Sequence, residues 1–444
     1  MELITGLVTI LSFYILIIII LHFSFPEPHY DWSKIDLENM NFPSEFSWGV
    51  ATASHQIEGN NTNNWSKFEN DRDIENSGLA CDHWNRWEED HGLLVELGVT
   101  SYRFSIEWSR IQPEKNEWNE DAIQVYSEMV DSLLQKGIEP MITLHHFSHP
   151  VWFEKLGGFY ERDNIDYFRE YCERIFPYFA DRVSKWCTIN EPEVFSIMGY
   201  YMGMFPPGKR SVRKAIRVMK NVMIAHGEVY NCLKSLKPDS HIGLAKNVTI
   251  FDPYRRWNLI HWITCCALNY IWNGAIISGL KRGKMFGSSV KVARGSLDFI
   301  GLNYYTHVLT TPFLPQTTEV DLPARKNQQI TEFGYPMYAE GMARAIKILQ
   351  HLQLPIEITE NGVADKDDNL RPNHLKRHLW VLSKAIESGS EIRSYFHWSL
   401  MDNFEWAEGY SLRFGLHHVD YETQVRTLRT SGMDYREIIN KFRE

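Results

Sequence analysis

The feature that most constrains this chain is a rhythm. Eight short apolar runs of strand length, at 46–53, 101–105, 141–145, 186–190, 241–247, 298–304, 356–359 and 394–398, alternate with stretches of helical periodicity. Strands this apolar read as buried on both faces, as in a parallel sheet covered by helices. Eight such strands, most of them followed by helical sequence, predict an α/β fold of the (β/α)8 barrel type. The unit at 123–144 shows the local logic. Ile123, Tyr126, Val130, Leu133 and Leu134 recur at helical spacing on one face. Gly137 can take the left-handed conformation that ends a helix, and Pro140 blocks its continuation before Met141 runs inward as a strand. The same grammar recurs at Leu94, Leu97 and Gly98, and at Met342, Ala345, Ile346 and Leu349 before Pro355.

Polar residues gather where these runs stop. Gln56 follows the first, Arg103 lies in the second, and His145 and His146 close the third. Asn190 and Glu191 close the fourth, Asn303, Tyr304 and Tyr305 the sixth, Glu360 the seventh and Trp398 the eighth. Barrel interiors are packed with apolar side chains, so polar groups at one rim predict an active site there. Glu191 and Glu360 carry the most weight. Each ends an apolar run and is followed at once by a turn, Pro192 or Asn361-Gly362. Two carboxylates on different strands are what cleavage of a glycosidic bond requires.

Six stretches, in order along the chain, carry a resemblance. They are Phe46-Ser47-Trp48-Gly49-Val50-Ala51-Thr52-Ala53, Tyr102-Arg103-Phe104-Ser105-Ile106, Thr188-Ile189-Asn190-Glu191-Pro192, Asp298-Phe299-Ile300-Gly301-Leu302-Asn303-Tyr304-Tyr305, Ile358-Thr359-Glu360-Asn361-Gly362 and Trp398-Ser399-Leu400-Met401-Asp402-Asn403-Phe404-Glu405-Trp406. From about Phe42 to near its end, the chain resembles glycoside hydrolase family 1, the β-glucosidase and β-galactosidase family. The resemblance implies a retaining O-glycosyl hydrolase with Glu360 as nucleophile and Glu191 as acid/base, needing no cofactor and no metal. It implies Arg103, Tyr305 and Asn303 as supports of that pair, with Arg103 beside Glu360. A buried ion pair that organises the barrel is the alternative for Arg103, and the two roles are compatible. Sugar binding carries over to Gln56, His146, Asn190, Trp398, Glu405 and Trp406. A carboxylate at Glu405, where members that take 6-phosphosugars have Ser, implies an unphosphorylated sugar. His145-His146-Phe147 departs from the family's usual Tyr-His-Trp, Tyr335 stands where many members have Trp, and the stretch 305–329 is short, so aglycone preference does not transfer.

The first 25 residues form a separate expectation. Residues 3–23 are apolar enough and long enough to span a bilayer. No positive segment precedes them and no good cleavage site follows, so a retained single-pass anchor (1–25) is expected ahead of a cleaved signal peptide. A polar linker (26–41) then leads to the hydrolase domain (42–444). The side of the membrane is open, because neither flank has clustered Lys or Arg. Residues 257–280 are also unusually apolar, between Arg255-Arg256 and Lys281-Arg282. The leading reading is a barrel helix. A helix whose outer face meets a membrane or a partner, and a second span, are the alternatives, and Asn258, His261, Asn269 and Asn273 count against the last.

Net charge of −10 and a pI near 6.0 leave nothing basic enough to follow a phosphate backbone, which excludes nucleic acid as a partner. Six Cys without CxxC spacing are expected as free thiols. The triad His145, His146, His149 lies at a strand end and lacks an acidic ligand at metal spacing, so it is read as sugar-binding and supporting. The sequons at Asn60, Asn64 and Asn247 carry little information. The combined expectation is a membrane-bound β-glycosidase for a small-molecule or lipid-linked β-glycoside. Its alternatives are glycosyl transfer, as in a similar membrane-anchored plant branch of the family active on galactolipids, and a catalytically silent glycan-binding protein.

Overall fold

A computed structural model describes residues 1–312, 324–326 and 328–443. Part of the short 305–329 stretch therefore lies outside the described residues. Eight parallel strands close into a barrel: β1 (Ser47–Ala51), β2 (Ser101–Ser105), β3 (Glu139–Thr143), β4 (Lys185–Asn190), β5 (His241–Asn247), β6 (Phe299–Asn303), β7 (Ile356–Asn361) and β8 (Ile392–Trp398). They pair in sequence order, and β1 closes on β8. All eight expected runs are barrel strands, with ends displaced by at most two residues. At β3 both ends shift by two, and the strand starts at Glu139 rather than Met141 because Glu139 N–H already bonds Thr100 O (2.8 Å).

Close approach of strands and side chains fixes small residues. A Cβ at Gly301 would lie 2.7 Å from Thr359 Oγ1, and one at Gly362 would meet the carbonyl oxygen of Trp398. The outer layer follows the expected periodicity. The helix Glu120–Gln135 buries Ile123, Tyr126, Val130 and Leu133, and Gly137 takes φ +72° just beyond it. Leu134, expected on the same face, is instead 38% exposed, because it sits one residue past the buried stripe. Asn119 Oδ1 caps the start of the helix by accepting from Ala122 N–H (3.1 Å). All six Cys are free.

Some elements fall outside the rhythm. A parallel pair, Ile250–Pro253 with His307–Thr310, lies beyond the ends of β5 and β6. The segment expected as a plain polar linker is docked on the body. Tyr30 and Trp32 pack edge-on against Trp380, and Glu27 bridges Arg256 (2.9 Å) and Arg325 (2.6 Å). Before it runs the helix Glu2–Ser24, long and apolar enough to cross a membrane by length and composition, with none of its residues buried.

The helix pattern gives a direct stability test. Leu133→Ala, at a fully buried site, should cost about 2–5 kcal/mol, whereas Leu134→Ala should stay within about 1 kcal/mol, measured as the shift of the urea unfolding transition. Equal losses would show that the buried stripe is misplaced.

Candidate active site

The rim of the barrel is organised by one buried cation. Arg103 points from the middle of β2 into the barrel. Its Nη1 donates to Glu360 Oε1 (2.7 Å) and to Thr359 O (3.1 Å) on β7, its Nη2 to Asn190 Oδ1 (2.7 Å) on β4, and its Nε to Thr143 Oγ1 (3.2 Å) on β3. The second oxygen of Glu360 accepts from Tyr305 OH at 2.6 Å. Burial pushes the Glu360 carboxyl above its ordinary value, while Arg103 and Tyr305 oppose that rise. The ionised form of Glu360 thus has one full counter-charge and a hydroxyl donor.

Glu191 has neither. Its Oε1 accepts from two neutral amides, Asn303 Nδ2 (2.8 Å) and Asn247 Nδ2 (3.1 Å). Burial, followed by the charge of Glu360, pushes its carboxyl up to about 8. The backbone there turns sharply. Glu191 takes φ +44°, its N–H donates to Ala245 O (2.8 Å), and Pro192 starts the next helix. A residue other than glycine at positive φ needs support, and the strand end and Pro192 supply it.

The other expected residues lie around this pair. Asn190 Nδ2 and His146 Nε2 are 3.0 Å apart. Burial, then Arg103, holds the His146 imidazole well below its ordinary value, so it is neutral, and its 3.9 Å approach to Glu360 is no ion pair. The His146 ring lies 5.8 Å from that of Trp398 and 5.9 Å from that of Trp406. Gln56 Nε2 donates to Asn403 Oδ1 (3.0 Å), Phe404 O (2.9 Å) and Glu405 Oε2 (3.2 Å), which leaves Gln56 Oε1 buried without a protein partner. An orphaned buried acceptor suits a ligand rich in hydroxyls. Burial, then the charge of Glu360, pushes the Glu405 carboxyl up to about 8, and among the described residues no Lys or Arg pairs with it. His145 and His149 stack at 5.6 Å, and His149 pairs with Glu154 (2.8 Å), which gives these two residues a packing role.

Sequence reasoning missed two features. Asn247 ends β5 opposite Asn303 and is the second donor to Glu191, so it is no surface sequon. Its signal was positional: β5 was the one strand assigned no polar rim residue. Lys246 and Glu193 form a fully buried ion pair (2.9 Å) beside Glu191, and the charge of Glu193 adds to the rise at Glu191. Nothing in the local pattern around 193 or 246 pointed to it.

Known proteins were compared with this chain. Residues 38–261 and 283–443 match the model of glycosyl hydrolase family 1. Beta-glucosidase A of Thermotoga maritima is 36% identical over 440 residues, covering 90% of this chain and 97% of its own. Beta-glucosidase 42 of Arabidopsis thaliana is 33% identical, covering 86% and 90%. Among solved structures, a beta-glycosidase from Pyrococcus horikoshii superposes with a TM-score of 0.84 at 37% identity, covering 91% and 96%. The Thermotoga maritima beta-glucosidase in complex with glucoimidazole gives 0.85 at 33% identity, covering 91% and 99%.

The electrostatics make a prediction independent of any substrate. Isotope-edited spectroscopy of Glu191 should find its proton retained at neutral pH and lost near pH 8. In Glu360→Gln the neighbouring anion is gone, so the transition should move to lower pH. No movement would mean that the two carboxyls do not interact.

Proposed function

We infer, from the premise that this chain belongs to glycosyl hydrolase family 1 and is a retaining glycosidase of the β-glucosidase type, that Glu360 is its nucleophile and Glu191 its acid/base. The observation that carries the assignment is the unequal company of the two carboxyls. A proton shared between them sits on Glu191, which has only amide donors, and leaves Glu360 charged against Arg103. That is the division of labour a retaining enzyme requires.

The steps follow from this division. A Glu360 oxygen attacks the anomeric carbon of a β-glycoside as the bond to the leaving oxygen breaks. Glu191 gives its proton to that oxygen, and a glycosyl ester of Glu360 forms. Glu191, now a carboxylate, takes a proton from water while the water oxygen attacks the anomeric carbon. The ester bond breaks, and both carboxyls return to their starting states. Tyr305 holds one Glu360 oxygen and Arg103 the other, which orients the attacking lone pair. Gln56, Glu405, His146 and Asn190 surround the glycone as hydrogen-bond partners, with Trp398 and Trp406 as apolar walls. Buried polar groups of this kind penalise a sugar that leaves one of them unpaired. The names of the relatives favour glucosides, with galactosides as the close second substrate.

The second part of the reading concerns place. Helix Glu2–Ser24 is proposed as a single membrane anchor, residues 26–41 as its docked stalk and 42–444 as the hydrolase domain. Support comes from its length, its lack of charge beyond Glu2 and its lack of any buried residue. The substrate is then a small or lipid-linked β-glycoside.

Three outcomes are expected. Glu360→Ala should lower aryl β-glucoside turnover by about 10³-fold or more, and a 2-fluoro-glucoside should label Glu360 of the parent; near-normal turnover would sink the assignment. The pH profile of kcat/KM should fall on the alkaline side near pH 8, where Glu191 loses the proton it must donate. A chain beginning at Tyr30 should leave the membrane fraction yet still cleave aryl β-glucosides; if the full chain is not membrane-bound, the anchor fails.

A further inference from the structure

One helical face is left uncovered beside this site. The helical run Leu259–Arg282, with a π turn at Tyr270–Gly274, lies in the part of the chain where the family match breaks between 261 and 283. With Trp257 ahead of it, it exposes Ile260, Ile263, Tyr270 and Ile271, each between 40% and 61% accessible. The helical members of this set share one side by spacing. The opposite side is folded onto the protein: His261, Trp262, Cys265 and Asn273 are buried, and Asn273 Nδ2 donates to Thr249 O (2.8 Å). The run is therefore no span. Its outer side is an apolar strip.

The strip adjoins the anchor. Tyr14 OH, in the middle of helix Glu2–Ser24, donates to Trp257 O (2.5 Å). The Phe25 ring lies 6.0 Å from Trp262, and Arg256 donates to the carbonyls of His22 (3.2 Å) and Phe25 (2.7 Å). A bilayer spanned by this helix has Tyr14 near its middle and therefore also meets Trp257. Arg256 is already occupied by Glu27, but Arg255, Lys281 and Arg282 are exposed around the strip and suit anionic headgroups. The strip also adjoins the site. One residue beyond Ile271, Trp272 Nε1 donates to Asn247 Oδ1 (3.1 Å), and Asn247 Nδ2 donates to Glu191 Oε1 (3.1 Å).

We propose that this strip is a second membrane contact, entering one leaflet of an anionic phospholipid bilayer beside the second half of the anchor and holding the Glu191 flank of the barrel mouth against it. The inference rests on the anchored, retaining-enzyme reading above. Glu191 serves the leaving oxygen, so its flank is where the aglycone lies. A membrane on that flank presents glycosides whose aglycone is a lipid, with the sugar reaching into the barrel and the acyl chains remaining in the bilayer. Trp, Tyr and Ile beside Arg and Lys are the residue types that settle at such an interface.

The test uses the full chain, with Cys232→Ser so that Cys266, exposed on the same helix, takes a fluorophore. The protein is mixed with phosphatidylcholine vesicles containing a minority of phosphatidylglycerol and recovered by flotation. The floated protein should be quenched by brominated acyl chains. Ile260→Asp with Ile263→Asp should remove the quenching and lower kcat/KM for a β-glucosyl diacylglycerol in the vesicles about tenfold or more, with a soluble aryl β-glucoside turned over as before. Flotation without quenching, or equal losses on both substrates, overturns the strip and leaves the anchor standing. Failure to float removes the anchor, and this inference with it.

Discussion

The buried position of Arg103 is the constraint on which the rest of this molecule depends. One guanidinium joins β2 to β3, β4 and β7 through Thr143, Asn190, Thr359 and Glu360, with almost none of its surface exposed. Removing a cation and a carboxylate from water costs several kcal/mol per ion, and only close, fully hydrogen-bonded geometry offsets it. The remaining donors of Arg103 are accordingly used on neutral acceptors of three strands. The same arrangement explains why the structural and chemical readings of Arg103 do not compete. A cation held rigidly enough to tie the barrel together is also rigid enough to keep one oxygen of Glu360 in place.

The fixed charge at Arg103 creates the asymmetry of the site. Three carboxyls, at Glu191, Glu360 and Glu405, share a buried space, and burial raises all three. Only Glu360 has a cation against it. The other two feel Glu360 as a like charge and are driven toward their neutral forms, Glu191 and Glu405 both to about 8. Burial is the larger cause at each carboxyl, and the Arg103–Glu360 pair supplies the difference among them. The charge of the buried Glu193, which is paired with Lys246, adds to the rise at Glu191.

The eight strands were legible because each is apolar on both faces and bounded by turn residues, a local signal that tertiary context does not override. The rim was legible for a related reason: Glu191, Glu360 and Asn303 interrupt apolar runs at their ends. What was not legible depends on distance in sequence. Asn247 reaches Glu191 across 56 positions, and Lys246 in β5 meets Glu193 in the helix after β4. Neither leaves a trace in spacing. The docking of Glu27 by Arg256 and Arg325 is of the same kind. Leu134 failed at the margin of a helical stripe, where one residue of rotation separates core from solvent.

The apolar run near 257–280 shows how composition and structure divide the work. By hydropathy it competes with helix Glu2–Ser24 as a membrane span. The two differ in what their polar groups do. In Glu2–Ser24 the hydroxyls of Thr5 and Thr9 bond back to the helix's own carbonyls, and Tyr14 OH reaches Trp257 O rather than the barrel rim. In the later run, Asn273 and Trp272 bond to Thr249 and Asn247 next to the barrel rim. Pulling that run into lipid would break bonds that reach within one residue of Glu191, and would leave their donors and acceptors in a medium that cannot replace them. The later helix is therefore held to the protein by its polar side, and its apolar side is left facing outward beside helix Glu2–Ser24.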